Sequence, residues 1–245
     1  MQRKALVQYL NSTLKIEEIE DISNNGLQVE GADEVQCVAF AVDGCQAAIE
    51  AAIAADAHML IVHHGLFWSR PLLLVGPHRR RVKALLDAGC SLYAAHLPLD
   101  VHPEVGNNVQ LARLLGLTVT GDFGDVGVEA QAPEGLTLSV FVAQVQRALG
   151  YAPRLQAHGP EVVQRIAIMS GRATREIAEA ALAGCDTFLT GEPLHDVYHD
   201  PVEYGINVIF AGHYATEKVG LQALARHLEA EFGLNTVFVD LPTGL

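Results

Sequence analysis

Short apolar runs alternate with Ala- and Leu-rich stretches of helical spacing along most of this chain. In the first half, Val35–Val42, Met59–Val62 and Ser91–Ala95 read as strands. Between and after them, Gln46–Ala55, Pro77–Ala88 (ended by Gly89) and Asn108–Leu115 (ended by Gly116) read as helices. The second half repeats the theme. Ile166–Met169, Thr187–Thr190, Asn207–Ala211 and Thr236–Asp240 are strand-like. Thr174–Ala183, a stretch near His195–Glu203 and Lys218–Ala230 are helix-like. Short buried strands separated by helices predict an α/β fold with largely parallel strands.

The two halves also agree in spacing. Val38 to Met59 and Ile166 to Thr187 are both 21 residues. Tyr93-Ala94-Ala95-His96 matches Phe210-Ala211-Gly212-His213, with a histidine just past the third strand each time. A diverged duplication is the reading, with one α/β repeat over residues 1–125 and the other over 126–245. The stretch Thr118–Pro160 is the natural join. It is rich in glycine (Gly121, Gly124, Gly127) and β signals, and its Leu138–Leu149 opens the second repeat as a helix.

Composition narrows the class. At 245 residues, half of them hydrophobic, folding buries roughly 70–75% of the unfolded chain's surface. A net charge of −13 opposes nonspecific attraction to nucleic acid or an anionic membrane. Basic residues gather only at His78, Arg79, Arg80, Arg81 and Lys83. These read as a solvated helix face, with a phosphate-binding rim as the sharper alternative. Cys37, Cys45, Cys90 and Cys185 form no C-x-x-C pair and read as reduced packing residues. No apolar run reaches the ~20 residues of a membrane span. The start, Met1-Gln2-Arg3-Lys4, leads into an amphipathic helix pattern, not a signal peptide. A cytoplasmic protein is the expectation.

The chemistry gathers where strands end. His63-His64 closes the run Met59–Val62, and Gly65 follows. Successive strand side chains point to opposite faces, so the pair reads as serving two metals. Asp100 follows the Ser91–Ala95 strand. Glu192 and His195 follow Thr187–Thr190, and His213-x-x-x-Glu217 follows Asn207–Ala211. Ligands of open α/β sheets gather at such carboxyl ends. His63, His64, Asp100, His213 and Glu217 are five nitrogen and oxygen donors, more than one zinc needs. They predict two divalent metal ions per chain, with zinc, iron, manganese, nickel and cobalt all suited to the donors. Hydrolysis is the default chemistry of such a site. His58, His102, His158, His199 and His227 read as structural or capping residues, and His78 as part of the basic surface. His195 and His199 share a polar helix face and read as surface or supporting groups.

At these residues the chain resembles a known family. Ser23–Gly31, Val62–Trp68, His96–Asn108, Thr190-Gly191-Glu192 and Ala211–Glu217, in this order, are similar to the NIF-three-like (Ngg-one-interacting factor three) proteins. The bacterial members of that family are named GTP cyclohydrolase 1 type 2 homologues. The resemblance implies two intertwined α/β repeats, each a mixed, mostly parallel sheet flanked by helices, with a dinuclear metal site in the cleft between them. It implies a homo-oligomer, a toroidal hexamer. It carries the metal role to His63, His64, Asp100, His213 and Glu217. It places His96 beside the metals, as a proton carrier or supporting group. The stretch from Asp100 to Thr190 has no room for the domain that longer relatives insert, so this is the short form. The family name implies hydrolytic opening of the guanine imidazole ring of GTP with loss of formate, although the chain has no P-loop to hold the phosphates. A metal-dependent hydrolase of a nucleotide or related small molecule is therefore the leading expectation. A metal-binding or metal-delivery protein, or an interaction scaffold, is the alternative.

Overall fold

The computed structural model describes every residue from Met1 to Leu245. It begins with α1 (Arg3–Thr13), β1 (Gly26–Val29), β2 (Cys37–Asp43), α2 (Gln46–Ala54), β3 (Met59–His64), α3 (Gly76–Ala88), β4 (Ser91–Ala94) and the single turn α4 (Leu97–Asp100). There follow α5 (Asn107–Leu114), β5 (Thr118–Phe123), β6 (Gly127–Gln131), α6 (Leu138–Leu149), β7 (Arg154–Gln156) and β8 (Arg165–Ile168). The chain closes with α7 (Ile177–Leu182), β9 (Thr187–Thr190), α8 (Asp200–Tyr204), β10 (Asn207–Phe210), α9 (His213–Phe232) and β11 (Asn235–Phe238). The fold is mixed α/β in two compact units. The first joins Met1–Val105 with Gly220–Leu241, and the second joins Gly106–Val219 with Pro242–Leu245.

The first unit holds a sheet of order β1-β4-β3-β2-β11. Strands β11, β2, β3 and β4 run parallel, and β1 lies antiparallel on β4. Ala39, Ala41, Leu60, Val62, Leu92 and Ala94 face one side. They pack against Ala48, Ile49 and Ala52 of α2 and Val82 and Leu85 of α3. The intervening Val38, Phe40, Ile61 and Tyr93 are buried too. This explains why these strands read as continuous apolar runs: parallel strands are covered on both faces. The buried Tyr93 hydroxyl donates to Asn11 Oδ1 of α1 at 2.9 Å.

The second unit holds a sheet of order β5-β6-β8-β9-β10-β7. Its centre, β8-β9-β10, is parallel, and β7 lies antiparallel on β10. One face (Ile166, Ile168, Leu189, Ile209) meets Leu111 of α5 and Phe141, Val145 and Leu149 of α6. The other (Ala167, Phe188, Val208) meets Ile177 and Ala180 of α7. Thr137 accepts from the Val140 amide at 3.4 Å to open α6, and Gly150, at φ +67, ends it.

Each sheet is built on three parallel strands in sequential order, with an antiparallel strand beside the third. The residues spaced by 21 are direct register partners in both: Val38 opposite Met59, and Ile166 opposite Thr187. Several expectations are corrected. The helix near His195–Glu203 shrinks to α8, because Pro201 fixes a helix start and the preceding residues form turns. Thr174–Glu176 is a 3₁₀ turn before α7. The helix expected over Lys218–Ala230 begins earlier, at His213.

Candidate metal centre

Strand β3 delivers two histidines between the ends of β2 and β4. His63 is fully buried, and its Nδ1 lies 2.9 Å from the Ala95 carbonyl oxygen. A carbonyl only accepts, so Nδ1 donates there, and Nε2 lies 3.5 Å from Asp100 Oδ2. His64 faces Asp43, its register partner on β2, with Nδ1 2.8 Å from Asp43 Oδ1. His96, just past β4, has Nδ1 3.0 Å from both oxygens of Asp21.

The three rings converge. Centroids are 4.8 Å apart for His63 and His64, 5.0 Å for His63 and His96, and 5.6 Å for His64 and His96. One ligand atom from each lies within 4.8 Å of the others. Strand alternation predicts that the adjacent pair points apart. Instead the rings meet at the strand end, each turned by the hydrogen bond its Nδ1 makes. Asp100 ends the single turn α4 that His96 opens, and is buried beside His63.

Asp21, the partner of His96, is itself held by three further donors. Its carboxylate accepts from the Leu97 amide at 3.0 Å, the Ser23 amide at 3.1 Å and Asn25 Nδ2 at 2.8 Å. Asn25 Oδ1 in turn accepts from the His96 amide at 2.9 Å. Burial pushes the Asp21 carboxyl up. The hydrogen bonds from His96, Asn25 and the Ser23 amide, with the charge of His96, outweigh it and hold the group well below the usual carboxylate range.

In the second unit, α9 opens with His213 and brings Glu217 one turn later onto the same face. His213 Nε2 is 3.0 Å from Glu217 Oε1, and Nδ1 is 3.4 Å from Glu192 Oε2, just past β9. Burial lowers the His213 pKa, but the hydrogen bond and charge of Glu217, with those of Glu192, raise it on balance. Two glycines make the room. A Cβ at Gly171 (φ +65) would clash with Glu217 Oε1 and lie 3.4 Å from His213 Nε2. One at Gly191 would lie 2.8 Å from His213 Cα. Thr216 Oγ1 accepts from the Gly171 amide at 3.0 Å and fixes that backbone.

These donors fit a divalent metal. Ligand imidazoles are commonly oriented by an oxygen acceptor on the other ring nitrogen, and His63, His64 and His96 all have one. Glu217, at 4% exposure, is a carboxylate whose burial is costly without nearby positive charge. The structure therefore brings His63, His64, Asp100 and His96 together in one unit, and His213, Glu217 and Glu192 together in the other. Sequence reasoning missed Asp21, Asp43 and Gly171, which act through contacts distant in the chain, and gave Asn25, within Ser23–Gly31, no role. The only signal was the polar stretch Asp21–Asn25.

The remaining candidates have plainer roles. His102 Nδ1 accepts from the Glu104 and Val105 amides at 3.1 Å and closes a turn. His227 shares a hydrogen bond with the Tyr9 hydroxyl. Arg79, Arg80 and Lys83 lie on α3, where Lys83 pairs with Asp87.

Known proteins share this sequence and fold throughout. A family described as Duf34/NIF3 (NGG1p interacting factor 3) matches residues 1–243. A Deinococcus radiodurans protein called GTP cyclohydrolase 1 type 2 homolog is 46% identical over 99% of this chain and 94% of its own length. An Archaeoglobus fulgidus protein of the same name is 44% identical over the whole of both chains. The crystal structure of TTHA1606 from Thermus thermophilus superposes with a TM-score of 0.94 at 46% identity, covering all of both chains. The structure titled protein ybgI, unknown function, superposes at 0.96 with 38% identity, again over both chains entire. The chain belongs to the Duf34/NIF3 family.

Proposed function

We propose that this member of the Duf34/NIF3 family is a metal-dependent hydrolase of a nucleotide or related small molecule. In this reading His63, His64, Asp100, His213 and Glu217 hold two divalent ions. The observation that carries the reading is the set of three imidazoles, each with Nδ1 hydrogen-bonded to oxygen and each with a ring nitrogen within 4.8 Å of the others'. When bound, such ions supply Lewis acidity and lower the pKa of a water toward ~7.

The chain's own residues do the rest. Asp43 and the Ala95 carbonyl fix the His64 and His63 tautomers. Glu192 orients His213. His96 is the proton carrier: Asp21 holds its Nδ1, so its Nε2 can hand a proton to a leaving nitrogen or oxygen. The relatives' name supplies the first substrate to try, GTP, with formate as the product to detect. Self-assembly into a hexamer and a cytoplasmic location complete the proposal. No helix is long and apolar enough to cross a membrane, and all four cysteines are free thiols.

The test is elemental analysis of protein purified without chelator, followed by a screen of nucleotides, phosphoesters and cyclic amides. About two equivalents of metal and a hydrolysed substrate support the reading. His96→Ala then keeps both metals and loses about 10²–10⁴-fold in turnover, the usual worth of general acid–base catalysis. Full metal loading with no turnover across the screen favours metal binding or delivery instead. Loss of metal in His96→Ala makes His96 a ligand.

A further inference from the structure

Three aromatic or apolar residues follow the paired histidines, and they part company. Leu66 and Phe67 turn into the core beneath α2 and α3. Trp68, the single tryptophan of the chain, turns its ring to the site. Its centroid is 5.2 Å from that of His96, at 74° between planes, and 6.3 Å from that of His64.

The ring is held there by its surroundings. Gln28 Oε1 accepts from the Leu66 and Phe67 amides at 2.7 and 3.2 Å, while its Nε2 donates to the Asn24 and Phe67 carbonyls at 2.8 and 3.1 Å. Trp68 pairs with Ser23 in an isolated bridge, and the Ser69 amide donates to the Ile22 carbonyl at 2.7 Å. The indole N–H donates to the Gly65 carbonyl at 3.1 Å. With its one polar atom engaged, the half-buried indole has no further hydrogen bond to give a ligand.

We infer that Trp68 is a binding wall that selects substrates with a planar heteroaromatic ring. Such a ring stacks on the indole and presents its own nitrogens and oxygens to His96 and the metal site beside it. An indole face suits another sp² ring and is indifferent to its substituents, which is why aromatic side chains recognise bases. An aliphatic or sugar-only ligand has no π face of its own and gains less. The inference rests on the metal-site reading above, and it adds the residue that recognises the ring.

The test uses the full-length chain loaded with zinc and checked for metal content. Guanosine is titrated while the single tryptophan's fluorescence is followed, with ribose 5-phosphate as the ring-free control. Saturable quenching by guanosine and none by ribose 5-phosphate is the result expected. By calorimetry, Trp68→Leu should bind guanosine about 10- to 100-fold more weakly, and Trp68→Phe should retain most of the affinity with zinc content unchanged. Equal quenching by both probes, unaltered guanosine affinity in Trp68→Leu, or zinc loss in both variants would overturn it. Zinc bound but no guanosine binding defeats this inference alone, whereas failure of the wild-type chain to bind zinc defeats the metal reading beneath it.

Discussion

His96 Nδ1 lies 3.0 Å from both carboxylate oxygens of Asp21, although 75 residues separate the two in the chain. The Asp21 side chain is 1% exposed, so this contact is part of the fold and of the site together. Asp21→Asn should cost about 1–3 kcal/mol, the range for disturbing a buried hydrogen-bonding group. The sign with pH follows from the depressed carboxyl. Its contribution is complete above the unfolded carboxylate value near ~3.9 and falls away as pH drops through the lower folded value. Urea melts of metal-free protein should therefore show the wild-type advantage over Asp21→Asn at neutral pH, shrinking below about pH 4. An advantage unchanged in acid would mean that the charge of Asp21 is not what stabilises.

Gly171→Ala should disturb the second ligand pair without replacing a ligand. The new methyl would run into Glu217 Oε1, on a backbone at φ +65. Left-handed backbone alone makes alanine unfavourable there by roughly 1 kcal/mol. Elemental analysis should show reduced metal content in a chain that still folds by circular dichroism. Full metal retention would show that Glu217 can move aside at no cost to binding.

Glu217→Ala should lose metal outright, since its carboxylate is the buried partner of His213. Thermal melting gives a second view. Metal bound only by the folded chain stabilises it by about 2.7 kcal/mol at a hundredfold excess over the dissociation constant. Added zinc should raise Tm in the wild type and chelator should lower it, with both responses blunted in Glu217→Ala. Equal responses in the two proteins would remove Glu217 from the ligand set.

Light scattering after gel filtration tests self-assembly. The expected mass is that of a hexamer of 26.3 kDa chains. The exposed run Leu72, Leu73, Leu74 and Val75, between 47% and 77% exposed in the single chain, is the kind of surface that association covers. A monodisperse monomer at micromolar concentration would end the hexamer proposal.

Much of this was legible in the chain because it is local. Strands covered on both faces leave unbroken apolar runs, and a repeated βαβ unit leaves a repeated spacing with a histidine after the third strand; the register of Val38 with Met59 and of Ile166 with Thr187 is what the sheets add. The helical turn joining His213 to Glu217 is equally local. The edge strands β1 and β7 were not legible. They are short, and β7 carries Arg154 and Gln156 where a buried strand would be apolar. Nor were the groups that orient the histidines. Asp43, Asp21 and the Ala95 carbonyl become partners only through sheet register or a loop crossing the strand ends, and neither leaves a pattern in residue type.

The last strand carries a consequence for synthesis. The first unit takes β11, its partner for β2, from Asn235–Phe238. The second unit is contiguous from Gly106 to Val219 but for a short tail, Pro242–Leu245. As the chain leaves the ribosome, the later unit can finish its sheet while the earlier one waits, reversing the usual N-terminal-first order. Until β11 arrives, β2 is an open edge, rich in β-branched and aromatic residues and ready to pair with any other nascent strand.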